Sequence, residues 1–406
     1  MHVLISGGGI GGLTAALAFQ KLGHRVTVLE QAHVFEEVGA GLQISPNGMR
    51  VFEALGVTAR VEKDAFRPRS QELRFGKGGG RILTIPLREA SYARWGGEYL
   101  HVHRADLVEA LGGALRDRQA GAVQLGHRVV SYSQDDAQVC AHLDTGEMIS
   151  GDLLVGADGI HSAIRSQMIG PDTPRYTGHV AWRAVVPVSE LGEHAPPESA
   201  CVWVGSRRHA VTYRVRRGSL ANLVAVVETK KAPAESWTAT GDRAQALKDF
   251  KRWSPVVRTI LEKAVTLNRW ALYDRMPLET WSDGRVVLLG DACHPMLPFL
   301  AQGAVMAIED AYVLARLVTN KETLGAALSA YEAFRKPRTS RVQAGARSNA
   351  SLFHRGDPIS QLATYGPIWL AGQLLPAFAH GQYDWIYSHD VTEMPDTAAR
   401  TAAAKK

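Results

Sequence analysis

The hydrophobic pattern at the start of the chain predicts a strand, a tight turn and a helix. Residues 2–6 form a short apolar run that ends at Gly7, and apolar residues then recur at helical spacing until Gly23. A second apolar run at residues 25–30 predicts a buried strand. The chain therefore begins with a predicted β–α–β unit, which starts a parallel sheet in an α/β fold.

Further along, the pattern changes between buried strands of this kind and a different sheet. Apolar runs at residues 152–156 and 285–290 again predict buried strands, and residues 303–318 predict a helix with one apolar face. Residues 180–228 instead alternate with β character, with turn residues between the runs, which predicts a mostly antiparallel sheet. The α/β domain is therefore expected to be interrupted by a β-rich insertion.

A chain of 406 residues fits about two to three domains. The predicted division is a dinucleotide-binding α/β domain at residues 1–72, 100–175 and 275–345, an inserted substrate domain at 73–99 and 176–274, a helical segment at 346–390, and a tail at 391–406. The polar tail is rich in Ala and Lys, so it is expected to be disordered. The nearly apolar stretch 367–379 is shorter than the roughly 20 residues of a membrane span and predicts a packed helix.

Composition and charge narrow the class of protein. Hydrophobic residues make up 46% and charged residues 21% of the chain, as in soluble globular proteins. The net charge of +6 suits anionic ligands, but the basic residues are scattered, so no nucleic acid partner is expected. The three cysteines form no C-x-x-C pair, which favours a reducing compartment. Because no export signal is visible, we expect a cytoplasmic protein, and a homodimer is one assembly that stays open.

The first turn carries the spacing of a dinucleotide-binding motif. Gly7, Gly9 and Gly12 form G-x-G-x-x-G, in which glycines allow a tight turn and the close approach of a pyrophosphate to a helix N-terminus. Glu30 ends the next predicted strand, near the position at which a carboxylate binds ribose hydroxyls. The motif predicts an adenine dinucleotide but does not separate FAD from NAD.

Two later segments each place an aspartate after a predicted strand, Asp158 in residues 153–165 and Asp291 in residues 284–303. Together with Arg104 in residues 103–107, they resemble motifs of the FAD-dependent aromatic hydroxylases, the single-component flavoprotein monooxygenases. The resemblance implies the Rossmann-like FAD-binding fold of the para-hydroxybenzoate hydroxylase type.

The resemblance also implies roles for these residues. Asp291 would bind the ribityl chain of FAD, Asp158 would act in FAD and NAD(P)H binding, and Arg104 would contact FAD. The helix that begins near Gly303 would direct its positive end toward the flavin ring. The other predicted cofactor contacts in this segment are Pro298 and Ala304.

Residues 176–183, 205–228 and 274–278 are similar to the salicylate hydroxylase and 3-hydroxybenzoate 6-hydroxylase subgroup. The resemblance implies that His209 and Tyr213 lie over the active site, and their spacing on a strand places them on one face. We predict that His209 is the base that deprotonates a phenol and that Tyr213 orients the phenolic oxygen.

The implied reaction is hydroxylation of a small phenolic ring that also carries a carboxylate. NADH or NADPH would reduce FAD, and the reduced flavin would react with O₂ to give a C4a-hydroperoxide that transfers a hydroxyl group. Gln302 is the third predicted catalytic residue, as a hydrogen-bond partner of substrate or flavin. Arg183 and Arg214 could clamp a substrate carboxylate or form ordinary surface ion pairs.

Several alternatives stay open. The same FAD motifs serve hydroxylases and epoxidases of larger lipid-like or polyketide rings, and a flavin-binding protein without turnover would carry them too. Gln43 stands where a 6-hydroxynicotinate hydroxylase is expected to carry histidine, which counts against that substrate. Cys293 and His294 are not expected to be catalytic, and no third ligand accompanies His101 and His103, so no metal is predicted.

Overall fold

The computed structural model describes residues 1–35, 40–230, 241–374 and 381–394, and the structural findings refer to these residues. The strands are β1 (His2–Ser6), β2 (Arg25–Glu30), β3 (Gly41–Ile44), β4 (Ser70–Phe75), β5 (Arg81–Pro86), β6 (Leu100–His103), β7 (Val123–Leu125), β8 (Val129–Gln134), β9 (Val139–Leu143), β10 (Met148–Gly151), β11 (Leu153–Gly156), β12 (Arg175–Pro187), β13 (Ala200–Gly205), β14 (Arg208–Val215), β15 (Leu220–Glu228), β16 (Asn268–Asp274), β17 (Ser282–Asp283) and β18 (Val286–Leu288). The helices are α1 (Ile10–Lys21), α2 (Pro46–Leu55), α3 (Thr58–Glu62), α4 (Glu89–Trp95), α5 (Arg104–Arg118), α6 (Ala163–Ile169), α7 (Arg243–Asp249), α8 (Pro255–Lys263), α9 (Gly303–Asn320), α10 (Leu324–Phe353), α11 (Pro358–Leu374) and α12 (Asp384–Tyr387).

The predicted parallel sheet forms the centre of the first domain. Its six strands lie in the order β17-β18-β11-β1-β2-β7, and every neighbouring pair is parallel except β17–β18. The apolar runs of β1, β11 and β18 are buried, as expected for strands covered on both faces. Because these three strands are parallel, the residues that follow them meet at one edge of the sheet.

The predicted β-rich insertion is a seven-stranded sheet in the order β16-β12-β15-β14-β13-β4-β5. Its neighbouring strands are antiparallel except for the parallel pair β4–β13. One face packs on α7 and α8, and the other faces α10, α11 and residues 297–300. Strand β4 begins at Ser70 and β12 at Arg175, so this sheet includes residues that the predicted division gave to the dinucleotide-binding domain.

The C-terminal segment is helical, but two details differ from the predictions. Helix α10 continues through the predicted domain boundary at residue 346. The described part of residues 367–379 is helical and packs on the inserted sheet through Ile368 and Gly372, but its outer face is open, since Trp369, Leu370 and Leu374 are 48%, 52% and 68% exposed. Residues 375–379 lie outside the described residues. Among the described helices, none is long and apolar enough to cross a membrane.

The start of the predicted disordered tail is also wrong, because Val391 is buried in the main core. Arg50 holds in place the residues that come just before Val391. The Arg50 guanidinium donates to the carbonyl oxygens of Tyr387 and His389 and forms a salt bridge with Asp390 at 3.1 Å. This contact joins distant parts of the chain, so local composition did not reveal it. The remainder of the tail, 395–406, lies outside the described residues.

Candidate active site

The glycines of the turn between β1 and α1 have two different structural roles. A Cβ at Gly12 would lie 2.0 Å from the carbonyl oxygen of Gly7, and Gly7 itself has a φ of +107°. A Cβ at Gly9 would meet none of the described atoms within 4 Å, and no side chain caps α1 at this residue. Gly7 and Gly12 therefore allow the turn, whereas Gly9 is the position at which a phosphate can approach the helix N-terminus.

Glu30 lies beside this turn at the end of β2. The backbone N–H of Gly8 donates to Glu30 Oε2 at 2.6 Å, and that of Ala32 donates to Oε1 at 2.8 Å. A carboxylate offers about four acceptor positions, so it can still accept hydrogen bonds from ribose hydroxyls. The two backbone contacts hold the carboxylate in place next to the phosphate position.

Asp158 follows β11 and touches the same turn. Its Oδ2 accepts a hydrogen bond from the backbone N–H of Ile164 at 3.2 Å, whereas its Oδ1 is buried without a hydrogen-bond partner among the described residues. Burial raises the pKa of Asp158 above its ordinary value. Because a buried oxygen without a donor is costly, this atom is expected to receive a donor from a ligand or from water.

Asp291 follows β18 and faces the beginning of α9. A Cβ at Gly303 would lie 4.0 Å from Asp291 Oδ1. The Asp291 side chain is exposed, yet the surrounding protein limits its hydration and raises the pKa of its carboxyl, while the nearby His294 and Arg104 oppose that shift. Asp291 is therefore open to a ligand at the edge of the parallel sheet, and the region bordered by the glycine turn, Asp158, Asp291 and the start of α9 is called the cleft.

The start of α9 borders this cleft. Pro298 is exposed in the preceding loop, and Gly303 and Ala304 are half-buried in the first turn. No side chain caps the N-terminus of α9, and its first turn carries no acidic residue. The backbone N–H groups and the positive end of the helix dipole therefore remain available to an anionic group.

Gln302 precedes α9, but its side chain is held inside the protein. Its Nε2 donates to Ser45 Oγ at 2.9 Å, and its Oε1 accepts from Asn47 Nδ2 at 3.3 Å. Asn47 in turn donates to Glu309 Oε1 at 2.7 Å. These bonds join the loop that ends at Gln302 to α2 and α9. The catalytic role of Gln302 stays a prediction.

A buried ionic cluster lies below this loop. Arg335 on α10 forms salt bridges with Glu309 at 2.6 Å and with Asp310 at 2.7 Å, and all three side chains are fully buried. Burial alone would raise the pKa of Glu309, but Arg335 and Arg338 lower it to about 2. The cluster fixes α9, whose N-terminus borders the cleft, against α10.

His209 and Tyr213 lie on the face of β14 that is turned away from α7 and α8. In the register with β15, His209 is opposite Val226 and Tyr213 is opposite Asn222. Both side chains are buried, with exposed fractions of 1% and 4%. The face that they share is turned toward residues 297–300, which precede the flavin-binding helix predicted from the sequence.

Tyr213 joins this face to the hairpin formed by β3 and β6. A Cβ at Gly41 would lie 2.5 Å from Tyr213 Cε2, and the Gly41 N–H donates to Asn222 Oδ1 at 2.8 Å. Among the described residues the Tyr213 hydroxyl forms no hydrogen bond, and Arg183 is the charged group that affects it. Burial raises the pKa of Tyr213, so the hydroxyl stays protonated and can donate a hydrogen bond.

Arg183 lies on the same face of the sheet, on β12, where it is opposite Val224. Its guanidinium carbon is 4.4 Å from the centre of the Trp270 ring, and no carboxylate pairs with it among the described residues. Burial lowers the pKa of Arg183, and the nearby Tyr213 opposes this shift. A half-buried guanidinium without a counter-ion is suited to an anionic ligand.

The other two arginines singled out in the sequence have different positions. Arg214 points to the opposite face of β14 from Tyr213, and its Nε donates to the carbonyl oxygen of Pro196 at 2.9 Å. Arg104 begins α5, and its charge affects the pKa of both Asp291 and Arg183. Arg104 is therefore near enough to influence both Asp291 and Arg183, whereas Arg214 lies on the opposite face of the inserted sheet.

His209 is part of a chain of hydrogen bonds that sequence reasoning did not find. Its Nδ1 is 2.6 Å from His354 Nε2, and His354 Nδ1 is 3.1 Å from Glu228 Oε1. Burial, together with His354 and His179, holds the pKa of His209 well below its ordinary value, so its ring is neutral. His354 is 145 positions away at the end of α10, and no local motif marks it.

Cys293, His294 and His101 were not predicted to be catalytic or metal-binding, and the structure shows the environment of each. Burial raises the pKa of the Cys293 thiol, which disfavours the nucleophilic thiolate. His294 Nε2 is 2.5 Å from Asp310 Oδ2, and His101 Nδ1 is 3.1 Å from the carbonyl oxygen of Arg214. A different group, formed by His179, Glu228 and His354, brings one ligand atom from each residue to within 4.8 Å of the others.

Taken together, the cleft residues fit a bound FAD. Gly9 leaves room beside a helix N-terminus, Glu30 can accept from a ribose, and Asp158 has a buried oxygen that lacks a donor. Asp291 lies beside the start of α9, which no side chain caps and which can face the flavin. The set supplies a phosphate position, two hydroxyl acceptors and a positive helix end in one connected region.

Comparison with known proteins agrees with this arrangement. Residues 1–346 match the family described as FAD binding domain. The chain is 36% identical over 396 residues to 3-hydroxybenzoate 6-hydroxylase of Polaromonas naphthalenivorans strain CJ2, with 96% of each chain covered. It is 33% identical over 408 residues to 6-hydroxynicotinate 3-monooxygenase of Bordetella bronchiseptica, with 99% of each chain covered. The expectation, based on Gln43, that 6-hydroxynicotinate is not the substrate of this chain stays a prediction.

Two solved structures are also similar. Klebsiella pneumoniae HpxO complexed with FAD and uric acid is 30% identical, with a TM-score of 0.83 over 96% of this chain and 97% of that chain. A salicylate hydroxylase substrate complex is 26% identical, with a TM-score of 0.79 over 97% of this chain and 96% of that chain. The similarity extends through both the parallel sheet and the inserted sheet.

Proposed function

The chain belongs to the family of FAD-dependent aromatic monooxygenases, and from that premise we propose that its substrate is a small aromatic ring with a phenolic hydroxyl and a carboxylate. When bound, FAD supplies the oxygenating chemistry, with NADH or NADPH as the electron donor and O₂ as the oxygen source. The cleft residues from the glycine turn to the start of α9 would hold it. The sheet face opposite residues 297–300 would hold the ring.

One observation supports the substrate class most strongly. Three polar groups on that face form no hydrogen bond or ion pair with the described residues: His209 Nε2, the Tyr213 hydroxyl and the Arg183 guanidinium. Polar groups on buried side chains such as His209 and Tyr213 are normally satisfied, so the free ones on this shared face indicate a ligand. A neutral acceptor, a neutral donor and a cation together match the hydroxyl and the carboxylate of a phenolic acid.

Each group has a distinct task in this account. Arg183 binds the carboxylate and sets the position of the ring, because a guanidinium can form two parallel bonds to a carboxylate. Tyr213 donates a hydrogen bond to the phenolic oxygen, and the neutral His209 accepts the phenolic proton at Nε2. The resulting phenolate makes the ring more electron-rich and therefore more reactive toward an electrophilic oxygen. The apolar residues around the face limit access of water.

Arg183 favours this substrate class over the larger lipid-like or polyketide rings, which do not require a buried cation. The relatives are hydroxylases and monooxygenases, so the alternative of a flavin-binding protein without turnover has no support. The cytoplasmic location and the homodimer stay predictions. Light scattering on the purified protein would test the homodimer, and a monomeric mass would contradict it.

The experiment that tests the proposed function is direct. The purified protein is examined for an FAD absorption spectrum, and NADH and NADPH oxidation is followed with 3-hydroxybenzoate, salicylate and 6-hydroxynicotinate. We expect one acid to accelerate oxidation and to gain one oxygen atom by mass spectrometry. FAD binding without stimulation by any phenolic acid, but with stimulation by a larger uncharged ring, would contradict the proposal.

A further inference from the structure

A line of hydrogen-bonded side chains leads from His209 to the protein surface. His209 and His354 join β14 to the end of α10 through the 2.6 Å contact between their ring nitrogens. His354 continues to Glu228 at the end of β15 through the 3.1 Å contact. Each contact is within hydrogen-bond distance, so the line from the buried ring to the carboxylate is unbroken.

The outer end of this line is open to solvent. The Glu228 side chain is 29% exposed, compared with 2% for His354. Glu228 lines a surface cavity of about 480 Å³ together with His179, Arg207 and Lys230. A proton that reaches the Glu228 carboxylate can therefore pass to water in this cavity.

The surroundings of His209 give a physical reason for such a path. Its ring packs against Phe299 and Phe353, with ring centres 4.9 and 5.2 Å apart, and no carboxylate contacts it among the described residues. A charged imidazolium is poorly stabilised in such an apolar site. A proton taken from a substrate must therefore leave His209 if the phenolate is to persist.

We propose that His354 and Glu228 form a proton relay that carries the phenolic proton from His209 to the surface cavity. The inference rests on the proposed function, since it requires His209 to accept that proton. The phenolic O–H bond breaks as an N–H bond forms at His209 Nε2, and the proton on His209 Nδ1 passes to His354 Nε2. The proton on His354 Nδ1 then passes to Glu228 Oε1, which releases it to water. The reverse sequence returns a proton to the oxygen when the hydroxylated ring becomes aromatic again.

The charged neighbours are consistent with a proton path. Arg207 forms a salt bridge with Glu228 at 2.9 Å, and because this contact stabilises the ionised carboxylate, a proton that reaches Glu228 is readily released to water. Burial, together with His179 and Arg208, lowers the pKa of His354. Although His179, Glu228 and His354 could together contact a cation, the two arginines make this position electrostatically unfavourable for one.

The test uses the full-length, FAD-loaded enzyme and its variants His354→Asn and Glu228→Gln. Each protein is mixed rapidly with 3-hydroxybenzoate, salicylate or 6-hydroxynicotinate in a weakly buffered solution that contains a pH indicator. We expect wild type to release a proton quickly, and both variants to release it about 100-fold more slowly with little change in ligand affinity. Glu228→Gln keeps the shape of the side chain, so it remains informative if His354→Asn folds poorly.

The matched control is His179→Asn, which alters a neighbour of His354 that is not in the relay. It should release protons much faster than either relay variant, because the path is intact and only the influence of His179 on the pKa of His209 and His354 is lost. Wild-type rates in both relay variants would overturn the relay alone, provided that wild type still hydroxylates the ring. If His179→Asn slows release as strongly as His354→Asn and EDTA slows wild type, a bound cation replaces the relay. Failure of wild type to release protons or to hydroxylate any of the acids would overturn the proposed function as well.

Discussion

Gly41 lies so close to Tyr213 that a Cβ on the glycine would be 2.5 Å from the ring carbon Cε2. The variant Gly41→Ala must therefore move the buried ring or the β3–β6 hairpin. We expect it to bind FAD but to lose about ten-fold or more in kcat/KM, because the tyrosine hydroxyl would no longer be aligned with the phenolic oxygen. Steady-state kinetics and the visible spectrum measure the two effects separately.

The matched control for this variant is Gly325→Ala. A Cβ at Gly325, in the first turn of α10, would meet none of the described atoms within 4 Å. This substitution should leave kcat/KM unchanged and stabilise the helix by about 0.5–1 kcal/mol. Equal kinetics for Gly41→Ala and Gly325→Ala would contradict the role given to the contact.

Two glycines of the first turn should respond differently to alanine. Gly9→Ala introduces no clash within the described protein, so the apoprotein should keep its thermal stability but retain less FAD after gel filtration. Gly12→Ala places a Cβ 2.0 Å from the Gly7 carbonyl oxygen and should lower both apoprotein stability and FAD retention. Full FAD retention by Gly9→Ala would show that the phosphate does not approach at this residue.

The buried cluster below the cleft should contribute strongly to the free energy of unfolding. Arg335→Met removes the salt bridges to Glu309 and Asp310 and should cost about 3–5 kcal/mol in urea unfolding, because it leaves buried carboxylates poorly compensated. The surface pair of Arg94 with Asp384 supplies the control, and Arg94→Gln should cost less than about 1 kcal/mol. Similar losses for the two variants would argue against this view of the cluster.

His101 should make the protein less stable in acid. Burial lowers the pKa of His101 from 6.5 to about 3, so below pH 6.5 the unfolded chain binds a proton that the folded protein does not. The stabilising effect is complete above pH 6.5 and is lost progressively as the pH falls toward 3, which amounts to about 2 kcal/mol between pH 6.5 and 5. His101→Asn can keep the hydrogen bond to the Arg214 carbonyl and should lose less stability over this range. Equal losses in urea unfolding would contradict the assignment.

The sequence predicted the parallel sheet, the glycine turn and the inserted sheet because each depends on local patterns. Buried strands have continuous apolar runs, and the turn at Gly7 requires glycine for backbone reasons. The period of a strand was also sufficient to place His209 and Tyr213 on one face. These features are encoded within a few neighbouring residues.

The contacts that sequence reasoning did not predict all join distant parts of the chain. His354 meets His209, Arg50 fixes the residues before Val391, and Gln302 is bonded to Ser45. Such contacts depend on how distant helices and sheets pack together, and local sequence patterns do not reveal this packing. Strand pairing also places Arg183 and Arg214 on opposite faces of the inserted sheet, although both were candidates for binding a substrate carboxylate.

The most direct measurement is the transfer of isotopically labelled oxygen from O₂ to a carboxylated phenol and to the same phenol without its carboxylate. We compare wild type, Arg183→Gln and the control Arg214→Gln, whose side chain lies on the other face of the sheet. Wild type and the control should label the acid, whereas Arg183→Gln should lose about 100-fold in kcat/KM for the acid and little for the phenol. If no acid becomes labelled, or if Arg183→Gln impairs both compounds equally, the proposed substrate and its carboxylate site are wrong.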